Sequence, residues 1–288
     1  MTHDVALITD STADIPDDLL AQYDILTVPM LIIWGQETLH DHVDLTAAAF
    51  YRRLEQDAVH PTTSQAPPQA FLEAYRAAEA RGAREIVVIT LSGELSGAVA
   101  SARQAAELSP IPVQVVDSRN VTGGLGWQVL AAARARALGG AAHVMAERMI
   151  AAAADVRQRV RVHVVMDTLK YLHLGGRIGH ASAFIGGLLN IKPLVQVSCQ
   201  SGMVEPLGRE RSRKRAIEAL MEGFFRNWRA EERLHVALLH GDAPEDAEEL
   251  AQRIREAFAP VELCINHTGP VLGVHTGPRA LALAGYAE

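Results

Sequence analysis

The chain contains 288 residues, 49% hydrophobic and 21% charged, which is ordinary globular composition and enough length for two modest domains. Its formal charge of −7 lacks the concentrated positive charge that nucleic-acid binding requires, so nucleic acid is not predicted as a partner. Every apolar stretch is shorter than the ~20 residues that cross a bilayer, and the N-terminus lacks the features of a secretory signal. We therefore expect no membrane span and no export.

The first half of the chain alternates short β-rich runs with helical patterns, which predicts a mostly parallel sheet with helices on its faces. The predicted strands cover residues 5–8, 25–33, 85–90 and 113–117. The predicted helices cover residues 16–22, 45–54 behind a capping Asp44, a segment from Pro67 and Pro68 to just before Gly82, and residues 97–108, 125–138 and 142–154. Gly139 and Gly140 are expected to end the helix over 125–138.

The second half changes character, because a tight-turn signal, Gln200-Ser201-Gly202, separates two β-rich runs and predicts antiparallel pairing. Its predicted strands cover residues 161–165, 191–198, 203–208, 234–239 and 261–265, and its predicted helices cover 212–228 and 244–258. The predicted fold is therefore α/β with two domains. Residues 1–157 form an N-terminal α/β domain, and residues 158–288 form a C-terminal α+β domain with a mixed or antiparallel sheet.

Two other features of the second half have plain interpretations. Cys199 and Cys264 lie in apolar runs without metal-ligand spacing, so we expect two buried thiols and neither a disulfide framework nor a metal site. The basic cluster over residues 209–215 is interpreted as a solvated helix start, with a surface for an acidic partner as the alternative.

Four polar stretches stand where strands are predicted to give way to loops, and such loops surround ligands in open α/β sheets. They are residues 9–14, 62–65, 92–97 and 275–278. Taken alone, the first three are explained at least as well by helix caps and turns. Together, hydroxyls beside free backbone N–H groups and the positive end of a helix dipole predict a cradle for a carboxylate or phosphate.

The signatures of nucleotide sites and of a serine nucleophile are missing from these stretches. Neither GxxxxGK[ST] nor a strand followed by GxGxxG occurs, so neither ATP nor NAD, nor any other cofactor, is predicted. GxSxG is also missing, because two residues rather than one separate Gly93 from Ser96. Nucleophilic attack by Ser96 therefore lacks its best sequence support.

Six motifs, spread in order over nearly the whole chain, resemble those of the DegV family of bacterial fatty-acid-binding proteins. They are residues 9–16, Thr63-Ser64-Gln65, residues 91–97, Gly175-Gly176-Arg177-Ile178, Lys192-Pro193 and His275-Thr276-Gly277-Pro278. The resemblance implies a cytoplasmic protein whose two domains clasp one long-chain fatty acid between them. It also implies a partner, a separate ATP-dependent fatty-acid kinase that converts the bound carboxylate to an acyl phosphate for phospholipid synthesis. The chain itself would be a carrier and not an enzyme.

The resemblance assigns roles to individual residues. Thr63 and Ser96, with Gly97, would bind the carboxylate, and His275 would join or relay that network. Arg177 would serve phosphoryl transfer or kinase docking. Without the resemblance, His275 is better explained as a loop histidine and Arg177 as a cation at a helix end that points to solvent.

The chain departs from the family pattern at two places. Gly93 and Glu94 stand where the family commonly has a second serine or a small residue, and Arg279 stands where it has glycine. The first change leaves Ser96 and Gly97 intact. Arg279 could alter the mouth of the pocket or its partner.

The acyl tail needs a tunnel with an apolar lining of little bulk. The most suitable stretch is residues 184–189, which supplies the candidates Phe184, Ile185, Gly187 and Leu188. An ordinary core helix explains this stretch nearly as well. Acyl chain length and oligomeric state are not predicted.

Two other functions fit the same residues. In an acyl hydrolase or acyltransferase, Ser96 would be the nucleophile, His275 the base, and Asp10 or Asp117 the orienting acid. In a small-molecule sensor, the same cleft would bind a regulatory ligand.

Overall fold

The computed structural model describes residues 3–184, 191–229 and 232–288. Its strands are β1 (Val5–Asp10), β2 (Ile25–Val28), β3 (Leu31–Trp34), β4 (Glu37–His40), β5 (Thr62–Ser64), β6 (Glu85–Thr90), β7 (Val113–Asp117), β8 (Arg161–Val165), β9 (Lys192–Val197), β10 (Val204–Glu210), β11 (Leu234–His240), β12 (Glu262–His267) and β13 (Leu281–Ala287). Its α-helices are α1 (Asp17–Gln22), α2 (Ala47–Gln56), α3 (Pro68–Ala80), α4 (Ala98–Ala106), α5 (Gly123–Ala137), α6 (Ala142–Arg159), α7 (Lys170–Leu174), α8 (Arg213–Phe225), α9 (Pro244–Phe258) and α10 (Pro270–Thr276). Short 3-10 helices cover Ser11–Ala13 and Gly179–Phe184.

A four-stranded parallel sheet forms the centre of the N-terminal half, in the order β2-β1-β6-β7. Every residue of β6 is buried, as expected for a strand whose sheet is covered on both faces. The predicted parallel sheet flanked by helices is therefore confirmed.

The run over residues 25–33, predicted as one strand, is two strands in different sheets. Pro29 lies between them, and β3 belongs to a separate antiparallel sheet of order β4-β3-β5. The stretch 62–65, considered as a helix cap, contains β5, in which Thr63 pairs with Ile32. Asp44 does not cap α2; Thr46 does, because its hydroxyl accepts the N–H of Ala49 at 3.3 Å.

The C-terminal half contains a six-stranded mixed sheet of order β10-β9-β8-β13-β11-β12. Among the described strands of this sheet, only β11 and β12 pair in parallel, and the predicted hairpin joins β9 to β10. The central strand β13 was not predicted, because its alanine-rich and glycine-containing sequence has little β propensity. The two-domain α/β architecture is thus confirmed. The boundary at residue 157 falls near the end of α6, ahead of β8, and stays a prediction.

The basic segment over residues 209–215 spans the end of β10 and the start of α8. Arg213 departs from the expectation of a solvated cation: its side chain is 14% exposed and pairs with Asp167 and Asp246. Cys199 and Cys264 are free and only partly buried, which corrects the expectation of two buried thiols.

Helix α5 connects the two large sheets through one core, because it contacts both β1 and β13. A Cβ at Gly123 would lie 2.7 Å from the Cβ of Ala284, so only glycine allows this close approach. Trp127 of α5 donates its indole N–H to the Ala284 carbonyl at 3.1 Å. Across the described residues, no helix has the length and apolar character that crossing a membrane requires.

Candidate functional site

A cavity lies between the two halves of the molecule and is lined by residues of both. Leu91, Leu95 and Ser96 approach it from the segment that follows β6. The order β2-β1-β6-β7 changes direction between β1 and β6, and the carboxyl end of such a switch point is where α/β sheets bind ligands.

Most of the cavity wall is apolar, and part of it comes from one face of the six-stranded sheet. Val164 pairs with Val195 and with Ala282 in neighbouring strands, so the three side chains form a row on that face. Val162, Val197 and Val204 form the next row. Further apolar lining residues are Met30, Val121, Met166, Leu172, Val271 and Leu272.

Thr63 and His275 meet at a polar part of the wall, with 2.8 Å between Thr63 Oγ1 and His275 Nε2. His275 is only 9% exposed. This burial, together with the positive charge of Arg177 and His60, lowers the pKa of His275 to about 4. The imidazole is therefore neutral at physiological pH.

The second nitrogen of His275, Nδ1, has no hydrogen-bond partner among the described residues. It lies against Gly175, where a Cβ would overlap it. Gly175, the first of the two glycines before Arg177, therefore leaves the space that the His275 ring occupies. His275 itself lies near the end of α10, not in the loop that the sequence predicted.

Ser96 lines the same cavity as Thr63 and His275. Its Oγ accepts the N–H of Ala98, in the first turn of α4, at 3.3 Å. Gly97 stands beside the cavity and not in its wall; a Cβ there would lie 2.8 Å from Nε2 of Gln65. The three predicted carboxylate-binding side chains thus line one cavity, with Thr63 and His275 in contact, and their role stays a prediction.

Arg177 lies between the cavity and an outer depression lined by Gly93, Glu94 and Met203. Its Nε donates to the Leu95 carbonyl at 3.1 Å, and its Nη1 donates to the Gly175 carbonyl at 2.8 Å. These bonds fix the guanidinium at the cavity, so it is not the free helix-end cation that the residues alone suggested.

The predicted tunnel stretch contributes little that can be located. Phe184 is half-buried, lies 5.8 Å below the Arg209 guanidinium and is not part of the cavity wall. Ile185, Gly187 and Leu188 lie outside the described residues. The strand valines that form the wall were missed, although valines at alternate positions of residues 161–165 and 191–198 were a signal for one sheet face.

The acids considered for a catalytic triad are engaged elsewhere. The Asp10 carboxylate accepts the backbone N–H groups of Thr12 and Leu91, and the Asp117 carboxylate accepts those of Gly93 and Arg119. Neither bonds to His275 in the described part of the chain. Since Nδ1 lacks a partner there, the group that orients a catalytic histidine is missing.

The two departures from the family pattern have local structural roles. Gly93 donates its N–H to the Asp117 carboxylate at 3.3 Å, and Glu94 donates its N–H to the Ser92 hydroxyl at 3.3 Å. Ser92 donates its hydroxyl to the Gly202 carbonyl at 2.7 Å and so fastens the β9–β10 hairpin to the N-terminal half. Arg279 takes a φ of +62° and places its guanidinium 3.6 Å from Asp246, outside the cavity wall. Over residues 3–184, 191–229 and 232–288, no group of three or more His, Cys, Asp or Glu side chains could hold a metal ion.

Comparison with known proteins agrees with these features. The family model described as an uncharacterised protein of the DegV family matches residues 4–288. A DegV domain-containing protein of Streptomyces coelicolor is 34% identical over 284 residues, covering 98% of each chain. A DegV-family protein of Thermus thermophilus, described by its fatty-acid binding, is 32% identical, with a TM-score of 0.89 over 99% of this chain and 100% of that one. Bacillus subtilis DegV, described as a fatty-acid-binding protein, is 28% identical with the same TM-score and the same coverage. The chain belongs to the DegV family.

Proposed function

We propose that this protein binds one long-chain fatty acid, with the tail in the apolar cavity and the carboxylate at Thr63, Ser96 and His275. The observation that carries the proposal is a cavity between the two halves whose wall is mostly apolar and whose polar side chains include that trio. The fatty-acid binding described for the relatives from T. thermophilus and B. subtilis supports it.

The tail supplies most of the affinity. Each buried methylene contributes about 0.8 kcal/mol, so a chain with about fifteen of them offers roughly 12 kcal/mol before ordering costs. A hydrogen bond to a charged group nets only about 1.5–3 kcal/mol. Thr63 and Ser96 therefore fix the position of the head, and the valine wall sets the strength of binding.

Neutral His275 gives the head a hydrogen-bond network without an ion pair. Buried N–H groups without partners are rarer than bare acceptors, so the proton belongs on Nε2 and the partnerless Nδ1 is bare. Nε2–H then donates to Thr63 Oγ1, and the Thr63 hydroxyl is free to donate into the cavity. A fatty-acid carboxylate is the acceptor that this arrangement suits.

The proposed next step belongs to a separate cytoplasmic ATP-dependent kinase that phosphorylates the bound carboxylate for phospholipid synthesis. Arg177 lines both the cavity and the outer depression, so an incoming phosphoryl donor would meet a fixed guanidinium beside the head. The chain is then a carrier that holds substrate and product between residues 1–157 and 158–288. Mixing loaded protein with kinase and ATP should give an acyl phosphate, and an Arg177→Ala variant should give less.

Delipidated protein tests the binding step. We expect saturable uptake of one C16 or C18 fatty acid per chain by calorimetry and native mass spectrometry, and absence of uptake would contradict the proposal. A serine-reactive fluorophosphonate tests the hydrolase alternative. Stoichiometric labelling of Ser96 would favour an enzyme, whereas the carrier predicts none.

A further inference from the structure

Two carboxylates from the N-terminal half hold the first turn of α10. Pro270 opens this helix and has no N–H, so Gly269 and Val271 carry the first N–H groups that need partners. Gly269 N–H donates to Asp14 Oδ1 at 3.0 Å, and Val271 N–H donates to Asp41 Oδ1 at 3.2 Å. The Asp14 side chain is fully buried, and Asp41 is 1% exposed.

The second oxygen of each carboxylate is also fixed. Thr122 Oγ1 donates to Asp14 Oδ2 at 2.6 Å, and Ser11 Oγ donates to Asp41 Oδ2 at 2.7 Å. Thr122 takes a φ of +50°, which strains a β-branched residue and persists only where surrounding contacts hold it. The Thr122 and Ser11 hydroxyls therefore fix the orientations of both carboxylates independently of the contacts with α10.

His275 lies on the same short helix as the anchored turn. The helix is seven residues long, and Val271 and His275 are four residues apart, which places them on one face. Moving the first turn would carry His275 away from Thr63. A small displacement would break the hydrogen bond between His275 Nε2 and Thr63 Oγ1, because hydrogen bonds weaken steeply beyond their usual length and this one measures 2.8 Å.

We infer that Asp14 and Asp41 are positioning residues that hold His275 against Thr63 by fixing the first turn of α10. The role of the His275–Thr63 pair in carboxylate binding rests on the proposed fatty-acid function. The positioning itself requires no ligand.

Other titratable groups face these side chains. Asp10 lies close to Asp14, and His42 Nε2 lies 3.9 Å from Asp14 Oδ1. Burial opposes charge on His42, but the neighbouring Asp14 and Asp41 carboxylates raise its pKa to about 9. A protonated His42 therefore offsets part of the negative charge at neutral pH.

Titration of His275 by NMR in the ligand-free, full-length protein tests the inference. In Asp14→Asn and Asp41→Asn, His275 should loosen and become hydrated, so its pKa should rise from about 4 toward 6.5, by about one unit or more. Asp18→Asn, at an exposed position of α1, is the matched control and should leave the titration unchanged. An unchanged His275 titration in both folded variants would overturn the inference.

Two milder variants cover the case in which an aspartate variant does not fold. Thr122→Val and Ser11→Ala remove the hydroxyl that orients each carboxylate, and both should shift the His275 titration in the same direction by a smaller amount. If neither shifts it, the positioning role is wrong. Fatty-acid uptake by the unmodified protein is measured in parallel, because its failure would overturn the proposed function and leave the positioning result standing.

Discussion

Acidification should destabilise this protein through His275, and a His275→Gln variant should lose part of that sensitivity. The folded state holds the imidazole neutral because it is buried, with Arg177 and His60 nearby, and its pKa is about 4. The unfolded chain protonates near 6.5. The contribution of His275 to stability is therefore complete above pH 6.5 and is lost as the pH falls toward 4.

The size of the effect follows from the two pKa values. At 1.36 kcal/mol per unit, the difference between 6.5 and about 4 corresponds to roughly 3 kcal/mol. His163 and His240 also have pKa values lowered by burial to about 4, and burial raises the pKa of Asp41 to about 6, which acts in the opposite direction. These groups are present in both proteins, so the difference between wild type and His275→Gln isolates one imidazole.

Urea unfolding at several pH values between 4 and 7.5 measures this difference. Glutamine keeps a hydrogen-bonding side chain next to Thr63 but does not titrate. His173→Gln, at an exposed position of α7, controls for the removal of a histidine. If wild type and His275→Gln lose stability in parallel from pH 6.5 to 4, His275 is not the buried neutral group described above.

Three further changes probe the cavity and the backbone. Thr63→Val should weaken fatty-acid binding about tenfold, or ~1.4 kcal/mol, in calorimetry, whereas Thr62→Val at an exposed position should not; equal affinities would remove Thr63 from the head site. Val164→Phe should fill the cavity and reduce binding of C18 acids by about tenfold or more. Val144→Phe, at a position that is 58% exposed, is the control. Unchanged binding in Val164→Phe would place the tail elsewhere. Arg279→Gly should stabilise the fold by about 1 kcal/mol in urea, because glycine accepts the left-handed φ without strain and the exposed contact with Asp246 is weak; a loss of stability would show that this contact outweighs the strain.

Local patterns predicted those parts of the fold where composition and burial agree. The runs over residues 85–90, 113–117 and 161–165 are rich in β-branched residues, and each is a strand with those bounds. The prediction of one strand over residues 25–33 was wrong because β2 and β3 have similar compositions. Their separation into two sheets depends on long-range pairing, such as Ile32 with Thr63, which no local window contains.

The site was only partly predictable, for a related reason. Thr63, Ser96 and His275 were identified by motif, and the structure places all three at one cavity. Alternating valines of β8 and β9 indicated one sheet face, but Val165 and Leu194 are buried on the opposite face, so the sequence does not distinguish the face toward the cavity from the face toward α8. The anchoring of α10 by Asp14 and Asp41 joins residues more than 200 positions apart, beyond any sequence motif.

The central claim is that a fatty acid occupies the cavity between the two halves. Extracting the purified protein with organic solvent and identifying the released lipid by mass spectrometry tests it most directly, with Val164→Phe purified in parallel. We expect close to one long-chain fatty acid per wild-type chain and much less from the variant. Release of no fatty acid from wild type, or of equal amounts from both proteins, would contradict it.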